Sequence, residues 1–375
     1  MISQSAERNI SIGGLALSVA VLYLLTAART VVFIDSGELA TVAWTLGIAH
    51  PTGYPLYTLL AWMAAHFPVD AAPVIKINLL SAALSAAGVV VFSLVAGRII
   101  GRHPTPAGKS ASDGPVSPRD RGPALIASLF GASTLAFSKT YWSQSASVEV
   151  YPLHAVFLVL LIGIFLASFA RPEGKQKAGP AARPAMAHLF AYLLGLSFSN
   201  HLSTLYLAPA FLTVYFMRRG GGKESRLRLL ALAPAFILGL SAYLYLPVRA
   251  SAGPLMNWGN PVDADAILRH LSGKQYSVWI FSSAETAARQ LSYFFRTLGA
   301  EFSYAPIALS LGGMWFLYRR NRDLFVLIAL LFAGCLVFAV NYDISDIDSY
   351  FLLAHVATAL AASAGMYAVL TVLAG

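Results

Sequence analysis

Charge is what this chain has least of. Of its 375 residues only 11% are charged and 57% are hydrophobic, with a mean hydropathy of +0.66. A soluble domain carries roughly a quarter charged residues, so a soluble globular protein is excluded and a polytopic membrane protein is indicated. Cysteine is nearly absent: Cys335 stands alone inside an apolar run. That excludes a disulfide framework and a cysteine-ligated metal. No internal repeat is visible, and length counts membrane spans rather than soluble domains. A net charge of +9 would point to nucleic acid in a soluble chain. Here the basic residues lie in short loops between apolar stretches, where topology accounts for them, and no nucleic-acid partner is expected.

Apolar stretches of about 20 residues place spans near residues 10–34, 74–100, 122–138, 152–170, 229–247, 302–318, 324–340 and 350–373. A further stretch, 186–217, is broken at Ser199-Asn200-His201 and reads as two short helices in a hairpin, which gives about ten spans. The first segment has signal-peptide features, Arg8 ahead of an apolar core and small Ala27-Ala28. Its length and the spans behind it favour an uncleaved anchor. Arg8 and the loops 98–121, 171–187, 218–228 and 319–322 hold 18 of the 26 lysines and arginines, whereas 11 of the 17 acids fall on the other side. The positive-inside rule makes the basic face cytoplasmic, with both termini on it. Segments 102–121 and 172–185 read as solvated linkers. Gly108-Lys109-Ser110 and Gly220-Gly221-Gly222-Lys223 resemble phosphate-binding loops, but neither has the required spacing or context.

This topology collects the reactive side chains on the outer face. The first outer loop, 35–73, carries Asp35, Glu38, His50 and Tyr54. The second, 139–151, carries Glu149, with His154 just inside the next span, and the hairpin tip offers Asn200 and His201. The large loop 248–301 carries Arg249, Asn257, Trp258, Arg269, Gln275 and Tyr276, and the last, 341–349, carries Asp343 and Asp346. Interfacial helices are expected in the first and fourth of these loops. Five loops converging at one membrane boundary describe an active site facing away from the cytoplasm.

Each feature has a plain structural alternative. Asp35-Ser36-Gly37-Glu38 matches a capping box, with Asp as N-cap and Glu at N3. His50-Pro51-Thr52-Gly53-Tyr54-Pro55 could be only a rigid turn, with His50 and Tyr54 as aromatic-belt anchors. Asn200-His201 is harder to dismiss, because polar groups at membrane depth are costly. Arg249 could snorkel from a span end. Asp343, Asp346 and Asp348 resemble a metal-binding DxD, although loops are commonly acidic.

On the non-cytoplasmic side, group transfer relies on membrane-borne donors such as polyprenyl-phosphate sugars. Such a site needs a carboxylate base for the acceptor hydroxyl, cationic groups for the departing phosphate, and aromatic and amide side chains for the sugar. The outer loops supply all three.

The residues also carry a family resemblance. Asp35-Ser36-Gly37-Glu38 followed by Thr45-Leu46-Gly47-Ile48-Ala49-His50-Pro51-Thr52-Gly53-Tyr54-Pro55-Leu56-Tyr57 resembles the signature of a bacterial and eukaryotic family of polytopic membrane proteins, formerly of unknown function. Its vertebrate member is an endoplasmic-reticulum protein O-mannosyltransferase. Further matches are Glu149-Val150-Tyr151-Pro152-Leu153-His154, Gly195-Leu196-Ser197 with Asn200-His201, Tyr245-Leu246-Pro247-Val248-Arg249, Asn257-Trp258-Gly259-Asn260-Pro261, and Asp343 through Tyr350. The resemblance implies an all-α, GT-C-type transmembrane bundle, an inverting reaction and a polyprenyl-phosphate donor, in the bacterial inner membrane by family distribution. Many relatives continue into a soluble C-terminal region; this chain ends at Gly375, so a single domain over 1–375 is expected.

On that basis Asp35 is the candidate base, with Glu38 second. Arg249, Arg269 and Lys76 are candidates for the donor phosphate. His50, Tyr54, Glu149, His154, Asn200, His201, Asn257, Trp258, Gln275 and Tyr276 are candidates to hold sugar and acceptor, a protein, lipid or glycan hydroxyl. No cofactor is required. A divalent metal at Asp343 and Asp346 is the disfavoured alternative, since Arg249 could neutralise the phosphate. A transporter or lipid flippase is the competing class. It would show repeats and midplane ionisable groups, whereas these ionisable residues crowd one boundary.

Overall fold

The computed structural model describes residues 4–32, 34–100, 118–169 and 182–373. Most of both linkers, with the Gly108-Lys109-Ser110 stretch, lies outside these residues. The described chain is helical, without a named strand. Long helices α1 (Gln4–Thr26), α4 (Pro73–Ile100), α5 (Pro118–Ala136), α7 (Tyr151–Phe169), α8 (Ala182–Phe198), α15 (Tyr304–Arg320), α16 (Arg322–Ala339) and α17 (Leu352–Leu373) form the body. Short helices α2 (Ser36–Thr45), α3 (Pro55–Ala65), α6 (Lys139–Ser145) and α13 (Ala264–Leu271), with the longer α14 (Ala284–Phe302), fill the outer loops. Helix α9 (Ala208–Arg219) follows a 3₁₀ turn at Leu202–Leu207, and α10 (Lys223–Leu230), α11 (Ala233–Leu240) and α12 (Tyr245–Ser251) run nearly end to end.

Among the described residues six helical segments are long and apolar enough to cross a membrane: Ala6–Thr26, Pro73–Ile100, Tyr151–Phe169, Lys223–Ser251, Arg322–Ala339 and Ile347–Leu373. Helices α5, α8, α9 and α15 occupy the other stretches read as spans. The first and fourth outer loops, where interfacial helices are expected, do hold helices: α2 and α3 in one, α13 and α14 in the other. Local chemistry explains their ends. Pro55 opens α3 at a position where no amide proton is needed. Asp263 caps α13 by accepting from the Ala266 N–H at 2.8 Å.

In an apolar solvent helices gain little from burying leucine against leucine, so close backbone approach through small residues takes over. Two helix pairs show it. A Cβ on Gly313 of α15 would collide with the Ala361 carbonyl of α17, and one on Gly365 would meet the Leu309 carbonyl. On the other side of the bundle, Gly195 of α8 faces the Phe236 carbonyl of α11, and Gly239 of α11 faces the Tyr192 carbonyl. These contacts fix the helix separations from which the outer loops emerge.

At the neighbouring Gly312 such a Cβ would meet no described atom within 4 Å beyond its own helix backbone, which makes the pair an internal control. Gly313→Val should lower the thermal midpoint of the detergent-solubilised protein by several degrees, reflecting an overpacking cost of about 1–3 kcal/mol. Gly312→Val should leave it nearly unchanged. Equal midpoints for both variants in a thermal-shift measurement would refute the close-approach account.

Candidate active site

The first outer loop is fastened before its side chains are placed. The Asn78 amide of α4 donates to the Ala28 carbonyl at 2.7 Å, and the Ala28 N–H donates to the Ala146 carbonyl at 2.7 Å. The loop then meets the large outer loop edge to edge. The Ile48 N–H donates to the Met256 carbonyl (2.7 Å), the Trp258 N–H to the Ile48 carbonyl (3.2 Å), and the Tyr245 hydroxyl to the Gly47 carbonyl (2.7 Å). The large loop is laced in turn to the last one: the Phe281 N–H donates to Asn341 and the Asp343 N–H to Trp279. The Asn200 side-chain amide reaches the Val150 carbonyl at 3.3 Å, joining hairpin tip to second loop.

Asp35 and Glu38 do not form the capping box that their spacing allows. Asp35 precedes α2 with helical backbone angles, and its side chain makes no cap hydrogen bond. Glu38 turns instead to His50. One carboxylate oxygen accepts the His50 backbone N–H at 2.7 Å, and both lie 3.1 Å from Nδ1. Nδ1–H donates to Glu38, and Nε2 lies 2.8 Å from the Tyr54 hydroxyl and 3.8 Å from an Asp35 oxygen. The turn that folds Tyr54 back under His50 needs glycine at 53. Its φ is +84°, and a Cβ there would lie 2.8 Å from Leu246 and 2.9 Å from the His270 ring.

The electrostatics follow from that geometry. Burial pushes the Glu38 carboxyl up, but the hydrogen bonds and charge of His50 outweigh it and hold the group below the ordinary value. Burial likewise opposes charge on His50, and is outweighed by Glu38 and then by Asp35 and Asp346, so the imidazole is raised above 6.5. Asp35 moves the other way. Burial raises it, His50 only partly offsets that, and Glu38 and Asp346 add to the rise. Glu149 is pushed up to about 8 by burial and by the charges of Asp35 and Asp346, so near neutral pH it keeps its proton.

A cavity of ≈ 440 Å³ opens over these groups, within the range of small-ligand sites. Of the sequence candidates, Asp35, Glu38, His50, Tyr54, His201, Trp258, Tyr276 and Asp346 line it. Gln275 backs Trp258 by accepting from its indole N–H at 3.1 Å. Asn257 pairs with Asn260 at the strand-like contact with Ile48. His154 stands behind His201, joined by a residue that the sequence did not mark. Ser203 Oγ lies 2.6 Å from His201 Nδ1 and 2.8 Å from His154 Nε2. Because the Ser203 N–H also donates to His201 Nδ1, that nitrogen is an acceptor. The hydroxyl therefore donates to His201 and accepts from His154. Trp279, Tyr342 and Tyr350 complete the aromatic wall. Tyr350 closes the family match that begins at Asp343, whereas only their outer-loop positions could have signalled Trp279 and Tyr342.

The remaining candidates lie elsewhere. Arg249 donates from Nε to the Leu46 carbonyl at 2.8 Å, closing the C-terminal end of α2. Arg269 pairs with Asp265 on the exposed face of α13, and Lys76 donates to the Phe67 carbonyl. None of the three lines the cavity, and the described lining contains no lysine or arginine. Asp343 and Asp346 part company: Asp343 pairs with Arg289 and accepts from Thr286, while Asp346 faces the cavity. Ligand atoms of Asp35, Glu38 and His50 all lie within 4.8 Å of one another, a grouping that could hold a metal ion.

Comparison with known proteins agrees with this architecture. The chain is 26% identical to mouse protein O-mannosyl-transferase TMEM260 over 366 residues, covering 93% of this chain and 48% of that protein. It is 23% identical over 313 residues to the Dictyostelium discoideum protein O-mannosyl-transferase tmem260, covering 80% and 35% respectively. It thus spans about half, or less, of the length of these relatives. The crystal structure of ArnT from Cupriavidus metallidurans bound to undecaprenyl phosphate superposes with a TM-score of 0.64 at 15% identity, over 95% of this chain and 59% of that one. The bundle is therefore of the GT-C type. The profile of the protein O-mannosyl-transferase TMEM260 N-terminal domain matches residues 35–223; beginning at Asp35 and taking in Glu38, His50, Tyr54, His154 and His201, that match places the chain in this family.

Proposed function

We propose that this chain is a membrane glycosyltransferase that moves a hexose, mannose-like, from a polyprenyl-phosphate donor to an acceptor hydroxyl of a protein, lipid or glycan. The observation that carries the reading is the state of Asp35: a half-exposed carboxylate with no structural hydrogen bond, raised in pKa, at the floor of an aromatic cavity. The donor of sugar is taken from the family's named transferases and from the lipid phosphate held by the ArnT neighbour. The charge distribution supports an outward-facing site with both termini cytoplasmic; a bacterial inner membrane is inferred from the family's distribution alone.

In this mechanism the acceptor oxygen attacks the anomeric carbon from the face opposite the phosphate. The new C–O bond forms as the bond to the phosphate oxygen breaks, and that oxygen leaves with the electron pair. Asp35 takes the acceptor's proton, and configuration inverts without a covalent enzyme intermediate. His50, held protonated by Glu38, places a positive charge next to the reacting centre, where preorganised charge is most effective. Trp258, Tyr276 and Tyr350 offer ring faces and edges to the sugar. His201, fixed through Ser203 to His154, closes the cavity behind Tyr54. Asp35, Glu38 and His50 could also hold a divalent cation, which would supply positive charge to the phosphate. The hydrogen bonds that already occupy both Glu38 oxygens favour the metal-free arrangement.

Asp35→Asn should cut transfer from a radiolabelled polyprenyl-phosphate mannose by ~100- to 10,000-fold, the usual worth of a general base. Since Asp35 caps nothing, the thermal midpoint should stay at the wild-type value. Transfer within a few-fold of wild type would remove Asp35 from the chemistry.

The pH profile should be bell-shaped. Its acid limb lies above 3.8, because Asp35 must be ionised and is raised from that value. Its alkaline limb lies above 6.5, because the raised His50 is charged below its folded pKa and loses its proton as pH climbs through it. Glu38→Gln should draw the alkaline limb towards lower pH, as removing the partner carboxylate lowers His50. A limb that does not move would break the Glu38–His50 assignment. Chelation of divalent ions should leave transfer unchanged; loss on chelation, restored by added Mn²⁺, would make the Asp35–Glu38–His50 group a metal site.

A further inference from the structure

A second cavity, of ≈ 460 Å³, lies at the opposite end of the same helices. Helix α7 begins beside the active site, where His154 meets Ser203, and ends at Ser168 and Phe169 in this second cavity. At ~1.5 Å per residue the intervening helix is about 22 Å long, so the two cavities occupy opposite boundaries of the bundle. The remaining walls come from the start of α8, the end of α9 and the region around Arg228 and Leu232.

Its chemistry differs from that of the acidic site. Arg219 and Arg228 line it and the described lining carries no acid. Among the described residues Arg228 is tied to Glu224, one turn away, in an exposed pair of the kind that contributes little and can be redirected. The adjacent Arg218 is by contrast taken up by Asp323 at 2.9 Å. Ser168 is 2% exposed, and among the described residues its hydroxyl has no hydrogen-bond partner. An unpaired buried hydroxyl is costly, and this one belongs to the cavity wall. The His188 ring on α8 donates from Nδ1 to the Pro184 carbonyl at 2.8 Å. Leu189 of α8, Met217 of α9 and Leu230 of α10, each within two residues of a lining residue in sequence, are exposed large apolar residues, which in a membrane protein face lipid chains.

We propose that this cavity binds the phosphate headgroup of an anionic phospholipid, with Arg219 and Arg228 on the phosphate, Ser168 donating from within, and the acyl chains lying along Phe169, Leu189 and Leu230. Basic pockets between membrane helices at the positively charged face suit such headgroups. The inference rests on the chain spanning a membrane and is independent of what the other cavity catalyses.

The test uses the full chain in detergent, equilibrated with phosphatidylglycerol or phosphatidylcholine of matched acyl chains and read by native mass spectrometry. Wild type should retain one phosphatidylglycerol in clear excess over phosphatidylcholine. Removing both cations in R219Q/R228Q should weaken retention about 30-fold, from ~1 kcal/mol for each basic residue at about 1.4 kcal/mol per factor of ten. Ala187→Phe, which fills the cavity from α8 and leaves both arginines, should abolish retention while the thermal midpoint reports folding. Equal retention of the two lipids by wild type overturns the proposal whatever the variants do. Displacement of phosphatidylglycerol by millimolar inorganic phosphate overturns it in favour of a free-anion site.

Discussion

The outer half of the molecule is organised around one carboxylate. Glu38 accepts both the backbone N–H and the ring N–H of His50, spanning a helix, a loop and a turn with one side chain. Charge-assisted bonds of this kind contribute about 1.5–3 kcal/mol each, and two of them here fix both the position and the orientation of a ring. Everything downstream depends on that orientation. Nε2 is presented to Tyr54 and towards Asp35, the Tyr54 ring stacks on His201 with an interplanar angle of 4°, and the cavity acquires its floor. Asp35 is left uncommitted because its neighbour three residues on serves the loop.

The bundle beneath supplies rigidity by a different means. Backbone contact through Gly313, Gly365, Gly195 and Gly239 holds helix pairs at separations that no side chain could span. A second polar lock works deeper in the outer half. Glu301, at the end of α14, is buried and accepts from both the backbone N–H and the hydroxyl of Thr140, each at 2.9 Å, with His355 of α17 at 3.5 Å. Buried carboxylates that receive several donors are well suited to joining loops to helices, since leaving them unpaired is so costly.

Hydropathy and charge were enough to read the helical body and the crowded face, because both signals are summed over many residues. Directions of single side chains were not legible. A D-x-x-E spacing is compatible with a capping box, and nothing local reveals that the Glu is claimed by a histidine twelve positions later. Arg249 ends a helix at the right boundary, yet the free carbonyls closing α2 attract it first. Asp343 and Asp346 look equivalent in sequence, but Arg289 of α14 captures one and leaves the other to the cavity. Ser203 carries no signal in sequence. Its role exists only because α7 and the hairpin tip bring two histidines within reach of one hydroxyl.

An acidic cavity without lysine or arginine in its described lining is an unexpected place for a departing phosphate, and the charge balance of the proposed reaction resolves the tension. Glu38 and protonated His50 cancel, and Glu149 keeps its proton, so Asp35 and Asp346 set the local charge. A phosphodiester donor gains one negative charge when it becomes a phosphate monoester. In the same step Asp35 loses one by taking the acceptor's proton. The total inside the cavity is unchanged across the transition state; charge is only moved from carboxylate to phosphate. A site built this way does not need an additional cation to absorb growing charge, and His50 is left to bias where that charge sits. Raising the Asp35 pKa by burial then serves both ends of the transfer, making the carboxylate a better proton acceptor while lowering the repulsion that the product phosphate meets once the proton has arrived.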